Sequence, residues 1–243
     1  MVETRRRAAS RSKSKSPARS GQKSARSKPN LSKTKATGAK ALSRTLFPSK
    51  GLYPTIAVSD SVNAGGHYVA AYICAQSGYS EAAWGFLSVA VAATIGVLRF
   101  GFDEDLFADA NGATADFAAY VGLPLVGKAF TAQLAGYSPV FGFLSGLDSI
   151  AYVFFLSMFE QVVRSTKLKD DLKVLPNVFL YVTPVALASW NKADWSCLAG
   201  LALFVFAAVV IGPAREETLL GVRRENLFHY GIGPAAVLIA KGL

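Results

Sequence analysis

Four ionisable side chains lie inside apolar stretches of this chain, where proteins rarely place charges. They are Asp60, His67, Lys128 and Asp148. Such groups are costly in a membrane unless they are paired, and they form the proton relays and substrate pathways of many membrane proteins. If the fold brings them together, the four residues form a polar layer. The favoured interpretation of its Lys–Asp pair is that it only fixes the register of two helices, and the alternative is a pathway for a substrate or an ion.

The apolar stretches that carry these residues have the length of membrane-spanning helices. A hydrocarbon core about 30 Å thick requires about 20 apolar residues in a helix. We therefore predict an all-α membrane protein with a bundle of about seven transmembrane helices. Six is the alternative, because the first stretch is rather polar and the last is short and contains Pro234. The stretches are approximately 53–77, 81–100, 113–136, 139–163, 173–190, 194–212 and 226–242.

Depth along neighbouring helices predicts a partner for Lys128. The third stretch ends near Gly136, so Lys128 lies about 12 Å from that end at 1.5 Å per residue. Asp148 lies about 13–14 Å into the fourth stretch, which starts at Pro139 and must run antiparallel after so short a turn. We therefore expect a Lys128–Asp148 ion pair. The carbonyl that Pro124 leaves without a helical donor is a second acceptor for the ammonium.

His67 and Asp60 extend this layer on the first stretch. His67 lies about 15 Å from the outer end of its helix, which is close to the depth of Lys128. Asp60 precedes His67 by two helical turns, so both side chains share one face. We expect Asp60 to lie nearer the cytosol than the other three residues.

Small residues on the fourth stretch predict close helix packing. Gly142 and Gly146 lie four residues apart in "GFLSG", the spacing at which helix backbones can approach each other. Pro124 on the third stretch is the other residue expected to shape the packing. Self-association into a homo-oligomer is a further interpretation of the glycine pair.

The basic charge of the chain is concentrated in its first 50 residues. This segment holds 15 of the 26 Lys and Arg residues against the single acid Glu3, a net charge of +14, whereas residues 51–243 carry −4. It has ten serines and no aromatic residue before Phe47. Such a composition cannot bury enough apolar surface to fold. We predict a disordered cytosolic tail over 1–50 and a helix bundle over 51–243.

A polybasic tail beside a lipid bilayer has three classes of partner: anionic lipid headgroups, nucleic acid, or an acidic protein surface. Serines between its basic residues, including Ser10 and Ser16, are candidate phosphorylation sites, and each phosphate adds about −1.5 to −2 charges. The stretch "RRRAASRSKSKSPARSGQKSARSKPNLSKTK" resembles in composition the Arg/Ser-rich arm of the lamin B receptors, which also precedes a multi-span domain. This resemblance implies the endoplasmic reticulum or the nuclear envelope. A tail that only sets membrane orientation is the alternative.

Basic residues between the stretches predict the orientation of the bundle. With the tail in the cytosol, the opposite face keeps only Lys192 and Lys241, as the positive-inside rule requires. The N-terminus is therefore expected in the cytosol. The basic residues that then lie on the cytosolic face are Arg99, Arg164, Lys167, Lys169, Lys173, Arg215, Arg223 and Arg224.

Common catalytic patterns are missing from the sequence. The two histidines, His67 and His229, have different predicted depths, and no phosphate loop, Cys-based metal spacing or nucleophile elbow is present. We expect no cofactor, no metal ion and no enzymatic activity. We predict a multi-pass endomembrane protein that acts as an anchor or scaffold and binds acidic partners through its tail. The alternative is a small transporter or proton-coupled carrier that uses the polar layer.

Overall fold

A computed structural model describes residues 52–165, 181–212 and 217–243, which all belong to one compact unit, Pro48–Leu243. These ranges are mostly helical, which confirms the predicted helical character of this part of the chain. The predicted tail, including Ser10 and Ser16, lies outside the described residues.

The first two helices form an antiparallel pair close to the predicted positions. Helix α1 spans Pro54–Gln76 and α2 spans Ser80–Gly101. In the turn between them Gly78 has a φ of 82°, a left-handed conformation that glycine adopts without a Cβ clash. At the other end of the pair the amide of Tyr53 donates to the carbonyl of Phe100 at 2.9 Å, which sets the register of α1 against α2.

The third predicted stretch forms one continuous helix with a wide turn inside it. Helix α3 spans Ala108–Phe117, a π-helical segment (π1) spans Ala118–Gly122, and α4 spans Leu123–Gln133. The π turn lies directly before Pro124, whose ring nitrogen cannot donate to the carbonyl four residues earlier. A π turn is one way in which a helix accommodates such an interruption.

The fourth predicted stretch is divided into two helices. Helix α5 spans Pro139–Gly146 and α6 spans Ser149–Ser165, and the two are bent by 119°. The break follows from an N-cap, because the carboxylate of Asp148 accepts from the amide of Ala151 at 2.8 Å. Asp148 therefore begins a new helix instead of lying within a continuous one.

The carboxyl-terminal part of the structure contains three further helices. It also contains a small hairpin, which the sequence did not predict. The hairpin turn uses positive φ values at Leu220 and Gly221. Its two strands pair Leu219 with Val222. The elements are α7 (Thr183–Asn191), α8 (Trp195–Val205), a second π segment π2 (Phe206–Ile211), β1 (Thr218–Leu219), β2 (Val222–Arg223) and α9 (Arg224–Ala240).

Few of the described helices are both long and apolar enough to cross a membrane. Helix α2 meets both conditions, and the bent pair α5–α6 meets them if it counts as one span. The apolar run Trp195–Ile211 is shorter. A seven-span bundle is therefore not confirmed by the described residues.

Close glycine contacts determine how the helices pack. A Cβ on Gly66 would lie 2.3 Å from the carbonyl oxygen of Gly233, so α1 and α9 touch through their backbones. A Cβ on Gly85 would lie 2.5 Å from the carbonyl oxygen of Gly122, which brings α2 against the π1–α4 helix in the same way. Helix α9 runs parallel to α1, whereas α2 runs antiparallel to it. The main buried cluster includes Phe86, Val126, Phe130, Val185, Leu201 and Ile239.

Helix α6 separates buried from exposed apolar side chains. Tyr152 and Leu156 are buried against the rest of the molecule. The opposite face carries a stripe of exposed large apolar side chains at helical spacing, and Ile150 alone is 84% exposed. The members of this stripe are Ile150, Phe154, Met158 and Val162.

Candidate functional site

A cavity of about 600 Å³ lies among α1, α2, α3, π1 and α9. Its volume is in the range of small-molecule sites. Eleven apolar side chains, five of them alanines, line it together with seven polar side chains. These polar residues are Asp60, Asn63, His67, Arg99, Asn111, Glu225 and His229.

An acid and a histidine that line this cavity contact each other. The Nδ1 atom of His229 lies 2.9 Å from Oδ1 of Asp60, and the carboxylate is almost fully buried. Nδ1 can donate to the carboxylate as an imidazolium or as the neutral Nδ1–H tautomer. The hydroxyl of Ser59 lies 3.4 Å from the same nitrogen and donates to the carbonyl of Ile56 at 2.9 Å. The pair is therefore held by two neighbouring helices, α1 and α9.

Gly96 on α2 leaves the space that the Asp60 carboxylate occupies. A Cβ at this position would lie 2.4 Å from Oδ2 of Asp60, closer than atoms can approach. The carboxylate thus lies against the bare backbone of α2, with one oxygen toward His229 and the other toward Gly96.

His67 lies two turns further along α1 and faces the same cavity. Its Nδ1 donates to the carbonyl of Asn63 at 3.0 Å, because a carbonyl oxygen can only accept. In the neutral ring this bond leaves Nε2 as a hydrogen-bond acceptor. The ring also packs against Phe86, with 6.0 Å between the ring centroids.

Arg99 is held by partners on both sides. Its Nη1 donates to Oδ1 of Asn111 at 3.1 Å, and its Nη2 lies 3.8 Å from the carboxylate of Glu104. The guanidinium also stacks over Phe100 at 5.0 Å from the ring centroid. Asn111 in turn donates to the carbonyl of Ala92 at 3.4 Å, so the guanidinium has a defined position beside the cavity.

The ion pair of Lys128 differs from the expected one. Its ammonium lies 3.1 Å from Oε1 of Glu81 and 3.2 Å from the hydroxyl of Ser149. Asp148, the expected partner, caps α6 instead. The prediction of a Lys128–Asp148 pair is therefore wrong. The break before α6 turns the carboxylate toward backbone amides, which are strong donors to an anion at a helix N-terminus.

The four residues of the predicted polar layer consequently fall into separate groups. Asp60 and His67 line the cavity. Lys128 lies beside the first turn of α2, whereas Asp60 lies beside Gly96, which is fifteen residues and about 22 Å further along that helix. The contact of α2 with α4 through Gly85 sets this register, so depth counted along the sequence did not reveal it.

The packing role expected for "GFLSG" is limited to one of its glycines. A Cβ on Gly142 would lie 3.3 Å from the carbonyl oxygen of Ala135, whereas one on Gly146 would meet no described atom within 4 Å. Pro124 follows the π turn, and the acceptors of the Lys128 ammonium are Glu81 and Ser149. The tightest helix contacts use other glycines, including Gly66.

The sequence analysis placed His229 at a different depth from His67, and it did not select Asn63, Arg99 or Asn111 as site residues. One signal was present, because Ser59 and Asn63 on α1 and Asn226 and His229 on α9 form short polar faces at helical spacing. That signal shows two polar faces, but it does not show that they meet.

Among the residues that the structure describes, no group of three or more His, Cys, Asp or Glu side chains is arranged to hold a metal ion. Comparisons of the chain with protein-family models, curated proteins and solved structures gave no match. The cavity is therefore interpreted from its geometry and chemistry.

Proposed function

We propose that this chain is a carrier in a membrane, which binds a small polar solute in the cavity and couples its passage to protonation of the Asp60–His229 pair. The observation that carries this proposal is the cavity itself. It places two acids, two histidines and an arginine within a helical unit that has large apolar side chains on its outside. Ionisable groups in such a setting typically serve transport or proton transfer.

Embedding in lipid, with about seven spans in the whole chain, is part of this proposal. The α6 stripe would form a large exposed apolar patch in water, and such patches mark membrane or protein contacts. Three exposed tryptophans support the same interpretation. Trp84 lies near the start of α2, and Trp190 and Trp195 meet at the α7–α8 turn toward the same end of the helices. Tryptophans at one level are typical of a membrane interface.

The Asp60–His229 pair is suited to coupling solute passage to proton binding. Nδ1 of His229 can donate to the Asp60 carboxylate both in the imidazolium and in the neutral Nδ1–H ring, so the hydrogen bond is kept in either form. Arg99, Glu225 and His67 face the same cavity, so a charged solute bound there would lie near the pair. In a carrier, a solute that binds one protonation state more tightly shifts the population toward that state.

Cysteine labelling tests whether the cavity is open to water on both sides of a membrane. Ala119→Cys places a thiol in the cavity wall, and Val62→Cys places one on the exposed outer face of α1 as a matched control. Each protein is reconstituted in vesicles and exposed to a charged thiol reagent from the outside or the inside. A carrier predicts labelling of Ala119→Cys from both sides and none of Val62→Cys. Labelling of Ala119→Cys from one side only, or from neither, contradicts the carrier.

A second candidate function rests on the amino-terminal sequence. Residues 1–50 carry 15 basic residues and one acid, a charge that suits binding of acidic partners by a membrane-anchored scaffold. Deletion of residues 2–45 is the test. Loss of partners or altered localisation in an endoplasmic reticulum or nuclear envelope fraction supports a scaffold, whereas unchanged partners and localisation reduce the tail to an orientation signal.

A further inference from the structure

Two buried polar atoms at the cavity lack a hydrogen-bond partner among the described residues. They are Oδ1 of Asn63, on a side chain that is 4% exposed, and Nε of Arg99. Buried polar atoms are nearly always satisfied in folded proteins, so each unsatisfied one requires an explanation. Both residues line the same cavity, and one atom is an acceptor while the other is a donor.

The charge beside each of these two atoms suits the hydrogen-bonding role of that atom. Asn63 lies one turn from Asp60 on α1, so its free acceptor adjoins a carboxylate. The free donor of Arg99 belongs to a guanidinium, a permanent cation. The cavity therefore offers an acceptor beside the Asp60 carboxylate and a donor on the Arg99 guanidinium, which also has the Glu104 carboxylate 3.8 Å from its Nη2.

The helix register gives the separation of the two residues. Gly96 on α2 lies level with Asp60 on α1. Asn63 is one turn beyond that level on α1, and Arg99 is one turn beyond it on the antiparallel α2, in the opposite direction. The backbones of Asn63 and Arg99 are thus about 9 Å apart along the helices. The unsatisfied acceptor and the unsatisfied donor therefore belong to residues at different levels of the cavity, as a ligand with one polar group at each end requires.

We infer that the cavity binds a small zwitterion of the α-amino acid class. Its ammonium group donates to Asn63 Oδ1 and the Asp60 carboxylate, and its carboxylate accepts from Arg99 Nε. Apolar side chains form the rest of the wall, including Ala92, Ala115 and Phe228, and they suit an apolar side chain on the ligand. This inference rests on the proposed function, since it names the solute class of the same cavity.

The test uses the purified full chain in detergent and L-alanine as the probe. L-alanine is expected to raise the midpoint of thermal unfolding in a saturable manner, because a ligand that binds only the folded state stabilises it. N-acetyl-L-alanine lacks the ammonium and L-alanine methyl ester lacks the carboxylate, so neither should reproduce the rise. A flat response to L-alanine, or an equal rise with either blocked compound, overturns the inference. This comparison uses only the native sequence, so it does not depend on whether a substituted chain folds.

Variants then locate the site. Asn63→Leu removes the acceptor at similar volume and Arg99→Met removes the donor, and each should abolish the L-alanine shift. Asn191→Leu, at the exposed end of α7, is the control and should retain it. Retention of the shift in both cavity variants contradicts the assigned contacts.

Labelling separates this inference from the proposed function. L-alanine should protect Ala119→Cys from the charged thiol reagent. If the thiol is labelled from both sides but L-alanine neither protects it nor shifts unfolding, the zwitterion is wrong and the carrier stands. If the thiol is not labelled at all, the carrier itself fails.

Discussion

At the scale of single residues, the two partners of the Lys128–Glu81 ion pair differ in solvent exposure. The Lys128 side chain is 11% exposed and that of Glu81 is 39% exposed. A carboxylate that has lost its partner can be hydrated at this position, whereas a buried ammonium cannot. The pair therefore protects the lysine more than it protects the acid.

This asymmetry predicts which single substitution destabilises more. Glu81→Gln should lower the free energy of unfolding by about 1–3 kcal/mol because it leaves the ammonium without a counter-charge. Lys128→Met should cost less than about 1 kcal/mol. The double variant should recover most of the loss caused by Glu81→Gln. Thermal unfolding of all four proteins in detergent measures this cycle, and equal losses in the two single variants would refute the asymmetry.

At the scale of elements, adjacent glycines on α1 have opposite surroundings. Gly66 touches the backbone of Gly233 on α9, whereas a Cβ on Gly65 would meet nothing within 4 Å. The α1–α9 contact also holds Asp60 beside His229, so the packing of two helices determines the geometry of the cavity.

These glycines provide a matched pair of substitutions. Gly66→Ala should separate α1 from α9 and destabilise the protein by about 1–3 kcal/mol, because a backbone carbonyl cannot move aside as a flexible side chain can. Gly65→Ala should be neutral or stabilising by up to about 1 kcal/mol through helix propensity. Thermal unfolding of the two variants checks the prediction, and equal effects would show that the close contact does not form.

The start of α8 depends on one carboxylate. Asp194 accepts from the amides of Ser196 and Cys197 at 3.1 and 3.0 Å. The hydrogen bond from the Cys197 amide, aided by those from Ser196 and by the charge of Lys192, holds the pKa of Asp194 below its ordinary value. A lowered pKa means that ionised Asp194 contributes stability above the ordinary Asp pKa of about 3.9, and that this contribution is lost as the pH falls through the lower folded value.

Two substitutions distinguish the hydrogen bonds that Asp194 accepts from the effect of its negative charge. Asp194→Ala should lower the free energy of unfolding at neutral pH by about 0.5–2 kcal/mol. Asp194→Asn keeps an accepting oxygen and should lose less. Unfolding measured from pH 6 to pH 3 should show the advantage of the native chain over Asp194→Asn shrinking as the pH falls. An advantage that is constant over this range would exclude a contribution from the ionised carboxylate.

At the scale of the whole molecule, the described unit has an unusual distribution of polarity. Its cavity contains ionisable groups, while Ile150, Phe154, Trp84 and other large apolar side chains face outward. In water, such exposed apolar side chains and such enclosed ionisable groups are both uncommon. The proposed lipid environment would account for both observations.

Extraction from membranes tests that environment. The expressed chain should stay in the membrane pellet after washing with alkaline carbonate, which removes proteins held only by charge, and detergent should release it. The same result is expected after deletion of residues 2–45, because the helices and not the basic tail provide the attachment. Release of the full chain by carbonate would contradict a lipid-embedded bundle.

The sequence by itself determined the charge division and the positions of the first two helices. Residues 53–77 and 81–100 were predicted, and the helices span Pro54–Gln76 and Ser80–Gly101. These features are local, since an apolar run, a proline and a turn glycine act on their own segment. The sequence also selected Asp60 and His67, because ionisable residues in apolar stretches are rare however the helices pack.

Only the tertiary structure decided which of these groups meet. His229 reaches Asp60 because α9 lies parallel to α1 through Gly66 and Gly233, and Lys128 reaches Glu81 because Gly85 sets the register of α2 against α4. Such contacts depend on the relative translation and rotation of whole helices, and a shift of one turn moves every side chain by about 5 Å. A single sequence records which residues could pair, but helix packing selects the pairs that form.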